Sequence, residues 1–274
     1  MSPTWQAETP PDPVRIRPLG WLLIVVRGLP LALVVFGGLA LHLTIRLVER
    51  PLHGLHRPWT PHVTQAVCRT ALRLMGIRYA TNGAVMEQHG ALVANHSTWL
   101  DIFTLNALGP LYFVSKSEVA SWPGIGWLAR ATGTLFIERD PRQARAHNTL
   151  FQDRLNAGHR LLFFPEGTST DGLRVLPFRT TLFAAFFAGD LRDSTWIQPV
   201  VARYRPPPGA PARFYGWWGD MDFGPDLLKI LAQSPQGSVE ITCLPPLRVA
   251  DFPDRKALAL AAEQAVRAGL EGRD

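Results

Sequence analysis

The chain has 274 residues, 47% of them hydrophobic, which is enough for one sizeable domain with a membrane-attaching segment but too few for two ordinary large domains. Lys and Arg number 28 against 22 Asp and Glu, and the resulting formal net charge of +6 favours an anionic surface as partner. The basic residues are spread along the chain, and nine Trp with 24 Pro are unusual for a nucleic-acid-binding module. The lipid bilayer is therefore the favoured anionic partner.

A long hydrophobic segment, residues 19–45, is the first predicted element. As a helix it exceeds the roughly 20 residues that cross a hydrocarbon core of ~30 Å. Arg27 and Pro30 interrupt it, so a kinked transmembrane span and a re-entrant helix pair in one leaflet are both open. No small-residue cleavage site ends the segment, which argues against a signal peptide. We therefore divide the chain into an N-terminal tail with a membrane-anchoring helical segment, residues 1–60, and a second domain, residues 61–274.

Residues 61–76 carry apolar side chains at helical spacing, so they predict a helix that rests on the membrane surface or packs against the domain. Short β-prone runs then alternate with helical stretches. This alternation predicts an α/β fold, in which a central, mostly parallel or mixed sheet is flanked by helices and preceded by the N-terminal hydrophobic membrane helix. The predicted strands are residues 77–81, 91–95, 111–115, 134–138, 160–164, 196–204 and 238–244, and the predicted helices are residues 140–158, 178–189 and 254–268.

A histidine follows the second predicted strand, in the run NHSTWLD at residues 95–101. On an ideal helix an i, i+5 pair lies about 140° apart, so His96 and Asp101 meet only if His96 lies in the turn before a helix and Asp101 in its first turns. Ser97 or Thr98 is expected to cap that helix. Asp101 would then orient one imidazole nitrogen while the other takes a proton from a substrate hydroxyl. The alternative is a capping box of Thr98 and Asp101, with His96 as an ordinary loop residue.

A second polar turn follows the predicted strand at residues 160–164. It reads PEGTS at residues 165–169 and offers a carboxylate, hydroxyls and backbone amides. Binding sites of open α/β sheets lie at the carboxyl ends of strands, so this turn is a candidate partner of His96. The alternative is a proline-glycine turn with a solvated Glu166. Cys68 and Cys243 have no metal-ligand spacing, so we expect two buried thiols and no metal site.

Four blocks, taken together, resemble the glycerolipid acyltransferase family of the lysophosphatidic acid type. NHSTWLD and FPEGTST are similar to the NHxxxxD and FPEGTRS blocks of that family, and they occur in the same order. GTLFIER, at residues 133–139, resembles its phosphate-contacting GxxFIxR block, and QPVV, at residues 198–201, resembles its fourth block. The resemblance covers residues 77–204. The run FPEGTSTDGLRVLPFR also looks like a bacterial branch that includes lyso-ornithine lipid acyltransferases.

The resemblance implies transfer of a fatty acyl group from acyl-CoA or acyl carrier protein, as co-substrate, to the free hydroxyl of a lysolipid. Direct transfer needs no metal, no other cofactor and no acyl-enzyme, and backbone amides of the two turns would stabilise the oxyanion. By the same resemblance His96 is the base, Asp101 its orienting partner and Arg139 a contact for an anionic group of the acceptor. The residues expected to line the acceptor pocket are Glu166, Gly167 and Thr168.

One position departs from the family pattern. Ser169 stands where members that handle phosphate acceptors commonly have Arg, and Arg174 and Arg179 follow closely. Either these two arginines bind the phosphate, or the acceptor lacks one. We favour 1-acyl-sn-glycerol-3-phosphate as acceptor, giving phosphatidic acid, because Arg139 and the intact turn at residues 166–168 outweigh one missing charge, and keep lyso-ornithine lipid as the alternative.

Two other classes stay open from the sequence. One is a non-catalytic membrane lipid-binding protein in which both motifs are turns and caps, and the other is a hydrolase or phosphatase built on His96 and Asp101. Nothing in the sequence indicates the oligomeric state or the acyl chain length. For the acyltransferase, residues 61–274 form the catalytic domain, and we expect a bacterial inner membrane with the active site on its cytoplasmic side.

Overall fold

The computed structural model describes residues 4–122, 124–137 and 144–272, with residues 144–148 described by their backbone alone. Within these residues eight strands form one mixed sheet, so the predicted α/β architecture is confirmed. The strands are β1 Arg78–Asn82, β2 Gly90–Ala94, β3 Tyr112–Lys116, β4 Leu135–Ile137, β5 Leu161–Phe163, β6 Trp196–Arg205, β7 Ser238–Cys243 and β8 Leu247–Arg248.

Eight α-helices accompany the sheet in the described part of the chain. They are α1 Pro18–His53, α2 Thr60–Met75, α3 Asp101–Leu108, α4 Ile125–Thr132, α5 Ala144–Asn156, α6 Leu191–Ser194, α7 Phe223–Ala232 and α8 Arg255–Glu271. Short 3-10 helices lie at Ser117–Ser121, Leu182–Phe187 and Val249–Asp251.

Five consecutive strands of the sheet run parallel, in the order β6-β2-β5-β3-β4. β7 is antiparallel to β6 and parallel to β1, and β8 is antiparallel to β6. β2 therefore lies directly beside β5. Because parallel strands end at the same edge of a sheet, the segments that follow β2 and β5 are neighbours. This arrangement brings the two sequence motifs together.

Both faces of the sheet are buried, because successive side chains of a strand point to opposite sides. On β2, Leu92 and Ala94 join an apolar cluster that includes residues of α2, α3 and α7. Ala91 and Val93 join a second cluster, formed with residues of α5 and α8. The helices thus cover the sheet from both sides, as the alternating pattern of the sequence predicted.

The N-terminal hydrophobic segment forms one continuous helix, α1, which at 1.5 Å per residue is about 54 Å long. It is the one helix of the described residues that is long and apolar enough to cross a membrane. Most of its large apolar side chains are exposed, which indicates membrane association. Pro30 lies inside α1 without ending it.

Contacts with the rest of the chain occur along most of α1. Near its start, Arg27 donates to the carbonyl oxygens of Leu231 and Gln233 at 3.0 and 2.6 Å, at the end of α7. Near its other end, the Glu49 carboxylate accepts from the backbone N–H of Thr60, the first residue of α2, at 3.0 Å. The carbonyl end of α7 carries the negative end of the helix dipole, so it satisfies the Arg27 charge.

The predicted helix at residues 178–189 is wrong. A 3-10 helix, Leu182–Phe187, forms there instead. The backbone N–H of Phe178 donates to Glu263 at 2.8 Å, and that of Arg179 donates to the Pro165 carbonyl at 2.9 Å. These tertiary bonds hold the start of the segment outside helical geometry. Of the predicted helix at residues 140–158, residues 144–156 are helical, and its expected start lies outside the described residues.

Candidate active site

His96 stands in the turn after β2, and Asp101 is the first residue of α3, as the sequence predicted. His96 Nδ1 lies 2.8 Å from Asp101 Oδ2. The Asp101 side chain is fully buried, whereas 20% of the His96 side chain is exposed. A carboxylate is an acceptor only, so Nδ1 carries the proton of this bond and the neutral imidazole keeps a lone pair on Nε2.

Asp101 receives further hydrogen bonds. The backbone N–H groups of Ser97 and Thr98 donate to Oδ2 at 2.8 and 3.0 Å. The Tyr204 hydroxyl donates to Oδ1 at 2.7 Å. The N-cap position of α3 is Leu100, which makes no side-chain cap, whereas in the turn before it the Thr98 hydroxyl accepts from the Leu100 N–H at 3.4 Å and Asp101 binds the amides of Ser97 and Thr98. The carboxylate is fixed from both of its oxygens.

Phe164, directly after β5, covers one face of the His96 ring. The two rings are stacked, with centroids 4.0 Å apart and an angle of 10° between their planes. This packing and the bond to Asp101 leave the imidazole one orientation. Among the residues that the structure describes, no protein group is hydrogen-bonded to Nε2. That nitrogen is available to an external hydroxyl.

Glu166 connects the two motifs through its carboxylate. One carboxylate oxygen accepts from the backbone N–H of His96 and the other from that of Leu176, both at 2.7 Å. The residue is 2% exposed, and burial raises the pKa of its carboxyl to about 8, against the lowering effect of the two amides. Its oxygens point to the backbone, so Glu166 positions His96 and does not line an open pocket.

The turn after Glu166 lies at the surface of the site. Gly167 has a φ of 72°, in the left-handed region that favours glycine, and its N–H donates to the Phe164 carbonyl. Thr168 is half-buried, and its hydroxyl accepts from the backbone N–H of Trp5 at 3.4 Å. The N-terminal segment therefore reaches the turn that was expected to bind the acceptor.

The three arginines expected to bind the acceptor differ in their placement. Arg139 lies outside the described residues. Arg174 forms an ion pair with Asp171, from Nη2 to Oδ2 at 2.8 Å. Arg179 is exposed, and its backbone N–H is used by Pro165. Of the two arginines that the structure describes, Arg174 is the one whose charge an ion pair with another described residue neutralises.

Tyr204 and Asn95 are functional residues that the sequence did not single out. Tyr204 donates to Oδ1 of Asp101, the carboxylate oxygen that His96 does not contact, and the Tyr204 hydroxyl also lies 3.2 Å from the Thr104 hydroxyl. The Asn95 amide bridges β2 to β6, since Oδ1 accepts from Ala202 N–H at 2.8 Å and Nδ2 donates to Ala202 O at 3.0 Å. The sequence signal that could have identified Tyr204 is its position at the end of a predicted strand, because a buried phenol hydroxyl needs a hydrogen-bond partner.

Three comparisons with known proteins bear on this site. An acyltransferase family model matches residues 76–203. The chain is 56% identical over 268 residues to the lyso-ornithine lipid O-acyltransferase of Rhodobacter capsulatus, which covers 98% of this chain and 97% of that protein. It is 37% identical over 250 residues to the protein of the same name from Brucella abortus, which covers 87% of this chain and 93% of that one.

Among solved structures, the 1-acyl-sn-glycerophosphate acyltransferase of Thermotoga maritima matches with a TM-score of 0.64. The match covers 92% of this chain and 95% of that chain at 20% sequence identity, so it shows a common fold.

A histidine that is oriented by a buried aspartate and that follows one of two neighbouring parallel strands is suited to activate a hydroxyl, and the family model and the relatives identify the protein as an acyltransferase. The chain belongs to the lysophospholipid acyltransferase family. The resemblance drawn from the four blocks is thereby confirmed, and the protein is an enzyme.

Proposed function

We propose that this enzyme transfers a fatty acyl group from acyl-CoA or acyl carrier protein to the free hydroxyl of a lyso-ornithine lipid, with His96 as general base. The observation that carries the chemistry is the 2.8 Å bond between His96 Nδ1 and Asp101, which leaves Nε2 free of protein partners among the described residues. The acceptor rests on the 56% identity to the Rhodobacter capsulatus protein over nearly the whole chain.

The reaction follows from that geometry. The acceptor hydroxyl gives its proton to His96 Nε2 as its oxygen attacks the thioester carbonyl carbon. Asp101 stabilises the imidazolium that forms. When the tetrahedral intermediate collapses, the carbon–sulfur bond breaks, the thiol takes the proton from Nε2, and the ester remains on the acceptor. His96 thus returns to its starting state in each cycle.

Backbone amides of the turn after β5 are the proposed oxyanion donors. The Gly167 N–H is used by the Phe164 carbonyl. The N–H groups of Thr168 and Ser169 have no acceptor among the described residues. Preorganised amides of this kind stabilise a developing oxyanion because they need no reorientation during the reaction.

The acceptor preference differs from the one favoured by the sequence alone. The sequence favoured lysophosphatidic acid because Arg139 and the intact turn at residues 166–168 outweighed the missing arginine at Ser169, for which Arg174 and Arg179 were the candidate replacements. Arg174 is instead paired with Asp171, so it offers little net charge to a phosphate. An ornithine head group carries a carboxylate and an ammonium and no phosphate. Together with the relatives, this pairing supports the lyso-ornithine acceptor.

The mode of membrane attachment is a further part of the proposal. Arg27 and Glu49 bond the start of α1 to α7 and its end to α2, so the helix lies against the folded chain over most of its length. We propose that α1 lies in one leaflet with its exposed apolar side in the lipid, in a bacterial inner membrane, and that the site faces the cytoplasm. The division at residue 60, into an anchoring segment and the acyltransferase domain, belongs to the same proposal.

Thiol release by the purified full-length protein in detergent micelles tests the function. Lyso-ornithine lipid and lysophosphatidic acid are supplied separately, each with acyl-CoA and with acyl carrier protein as donor. We expect thiol release that requires lyso-ornithine lipid. Release without any acceptor would indicate a thioesterase, and release with lysophosphatidic acid alone would overturn the proposed acceptor.

A further inference from the structure

Arg174 is held between two partners beside the turn at residues 165–168. Its Nε and Nη2 donate to the two carboxylate oxygens of Asp171 at 3.2 and 2.8 Å. Its guanidinium also lies over the ring of Trp5, 5.1 Å from the ring centroid. Trp5 in turn donates its backbone N–H to the hydroxyl of Thr168. We call Trp5, Asp171 and Arg174 the Trp5 cluster.

The Trp5 cluster is fixed from both of its ends. The Asp171 side chain is 4% exposed, and its Oδ1 also accepts from the backbone N–H of Leu173 at 3.1 Å. The N-terminal segment is pinned by Asp12, whose two oxygens accept from Arg213 at 3.1 and 3.0 Å. The position of the Arg174 guanidinium is therefore set by the fold.

The cluster lies next to the catalytic turn. The backbone N–H of Thr170, which precedes Asp171, donates to the carbonyl of His96 at 3.0 Å. On the other side of Asp171, a Cβ added at Gly172 would lie 3.3 Å from the Cβ of Ser97. The residues on both sides of Asp171 therefore contact the turn that carries His96.

The charges of Arg174 and Asp171 determine which anionic groups the cluster binds. The ion pair uses two of the five N–H donors of the guanidinium, and 53% of the Arg174 side chain stays exposed. The remaining donors suit a carboxylate with a single negative charge. The buried Asp171 carboxylate repels any anion bound beside it, and it repels a phosphate monoester, with a charge of about −1.5 to −2, more strongly than a carboxylate with a charge of −1.

We propose that the Trp5 cluster is a specificity-determining element, which binds the carboxylate of the acceptor head group through Arg174 and disfavours a phosphate through Asp171. This inference rests on the proposed function and assigns the discrimination to named residues. Trp5 orients the guanidinium, and Asp171 limits its net charge.

The test compares kcat/KM for lyso-ornithine lipid and for lysophosphatidic acid at equal mole fractions in detergent micelles. Asp171→Asn keeps an oxygen for the Leu173 N–H and removes the negative charge. We expect its ratio of lysophosphatidic acid to lyso-ornithine activity to rise about tenfold, the change that corresponds to about 1.4 kcal/mol. Arg174→Gln is expected to raise the KM for lyso-ornithine lipid while kcat changes little.

Asp193→Asn is the matched control. It removes an exposed carboxylate from α6. This helix precedes β6, so it lies at the amino ends of the parallel strands, whereas the candidate site lies at their carboxyl ends. We expect it to leave both activities unchanged. Thermal unfolding of each variant separates a loss of fold from a change of specificity.

The outcomes for the wild type and for the variants separate the two proposals. A wild type that does not use lyso-ornithine lipid contradicts the proposed function. A wild type that uses it, with Asp171→Asn folded and its acceptor ratio unchanged, contradicts the role of the cluster. Should Asp171→Asn not fold, an unchanged KM for lyso-ornithine lipid in Arg174→Gln overturns the inference by itself.

Discussion

Asp101 and Phe164 give the His96 ring the one orientation that the proposed base requires. We expect His96→Ala to fold but to lower turnover at least about 100-fold, because the variant lacks the proposed proton acceptor, and thermal unfolding checks that it is folded. Asp101→Asn should also be severe, since a neutral amide stabilises the imidazolium of His96 less than a carboxylate does. More than half of the wild-type turnover in folded His96→Ala would rule out the mechanism.

Tyr204 is expected to be a positioning residue that acts through Asp101. In Tyr204→Phe the ring remains, but Asp101 Oδ1 loses the 2.7 Å bond, so the carboxylate gains freedom and holds His96 less firmly. We expect kcat to fall about tenfold with an unchanged acceptor KM, the pattern of a group that matters only in the transition state. The other phenol to compare is Tyr215, which bonds Gln236 at 2.7 Å. Tyr215→Phe should affect stability and leave kcat unchanged.

Glu166 gives the protein a dependence of stability on pH. Its pKa is raised from an ordinary value near 4.5 to about 8 in the folded state, so the folded protein binds this proton more tightly than the unfolded chain does. The associated stability is complete below pH 4.5 and is lost as the pH rises to 8. Thermal unfolding of wild type and Glu166→Gln across this range should show a decline that the variant lacks. Parallel curves would contradict the assignment.

At the scale of elements, the seven predicted strands agree with β1 to β7 because each is a short run of β-prone residues, and β2 and β5 at the centre of the sheet are buried on both faces. The adjacency of β2 and β5 could not be predicted from spacing, since it depends on the order of strands in the sheet. The segment at residues 178–189 has helical periodicity, but bonds to distant residues such as Glu263 override its local preference.

The candidate site was predictable to the extent that it is local. His96 and Asp101 lie in one short run, and the i, i+3 pair of Asp171 and Arg174 lies within a single turn. The contacts of Tyr204 with Asp101 and of Trp5 with Thr168 join residues 103 and 163 positions apart, and only the assembled sheet creates them.

Helix α1 is expected to be the main membrane anchor. Deletion of residues 1–45 removes most of its exposed apolar surface, and the remaining attachment would be electrostatic and therefore sensitive to salt. Fractionation of cells expressing the truncated protein, with high-salt and carbonate washes, measures this. Carbonate-resistant membrane association of the truncated protein would show that the anchor lies elsewhere. Because this deletion also removes Trp5, activity is not a readout here.

At the scale of the whole molecule, α1 is coupled to the catalytic turn through α7. Arg27 bonds the carbonyl end of α7, and Asp226 of the same helix accepts from the indole N–H of Trp99, two residues before Asp101, at 2.9 Å. These contacts fix the position of His96 relative to α1, the proposed membrane anchor. An enzyme built in this way meets its acceptor by lateral diffusion, so its rate depends on the mole fraction of lysolipid in the bilayer. Diluting the acceptor with inert lipid should slow the enzyme even when the total amount of acceptor per volume is unchanged.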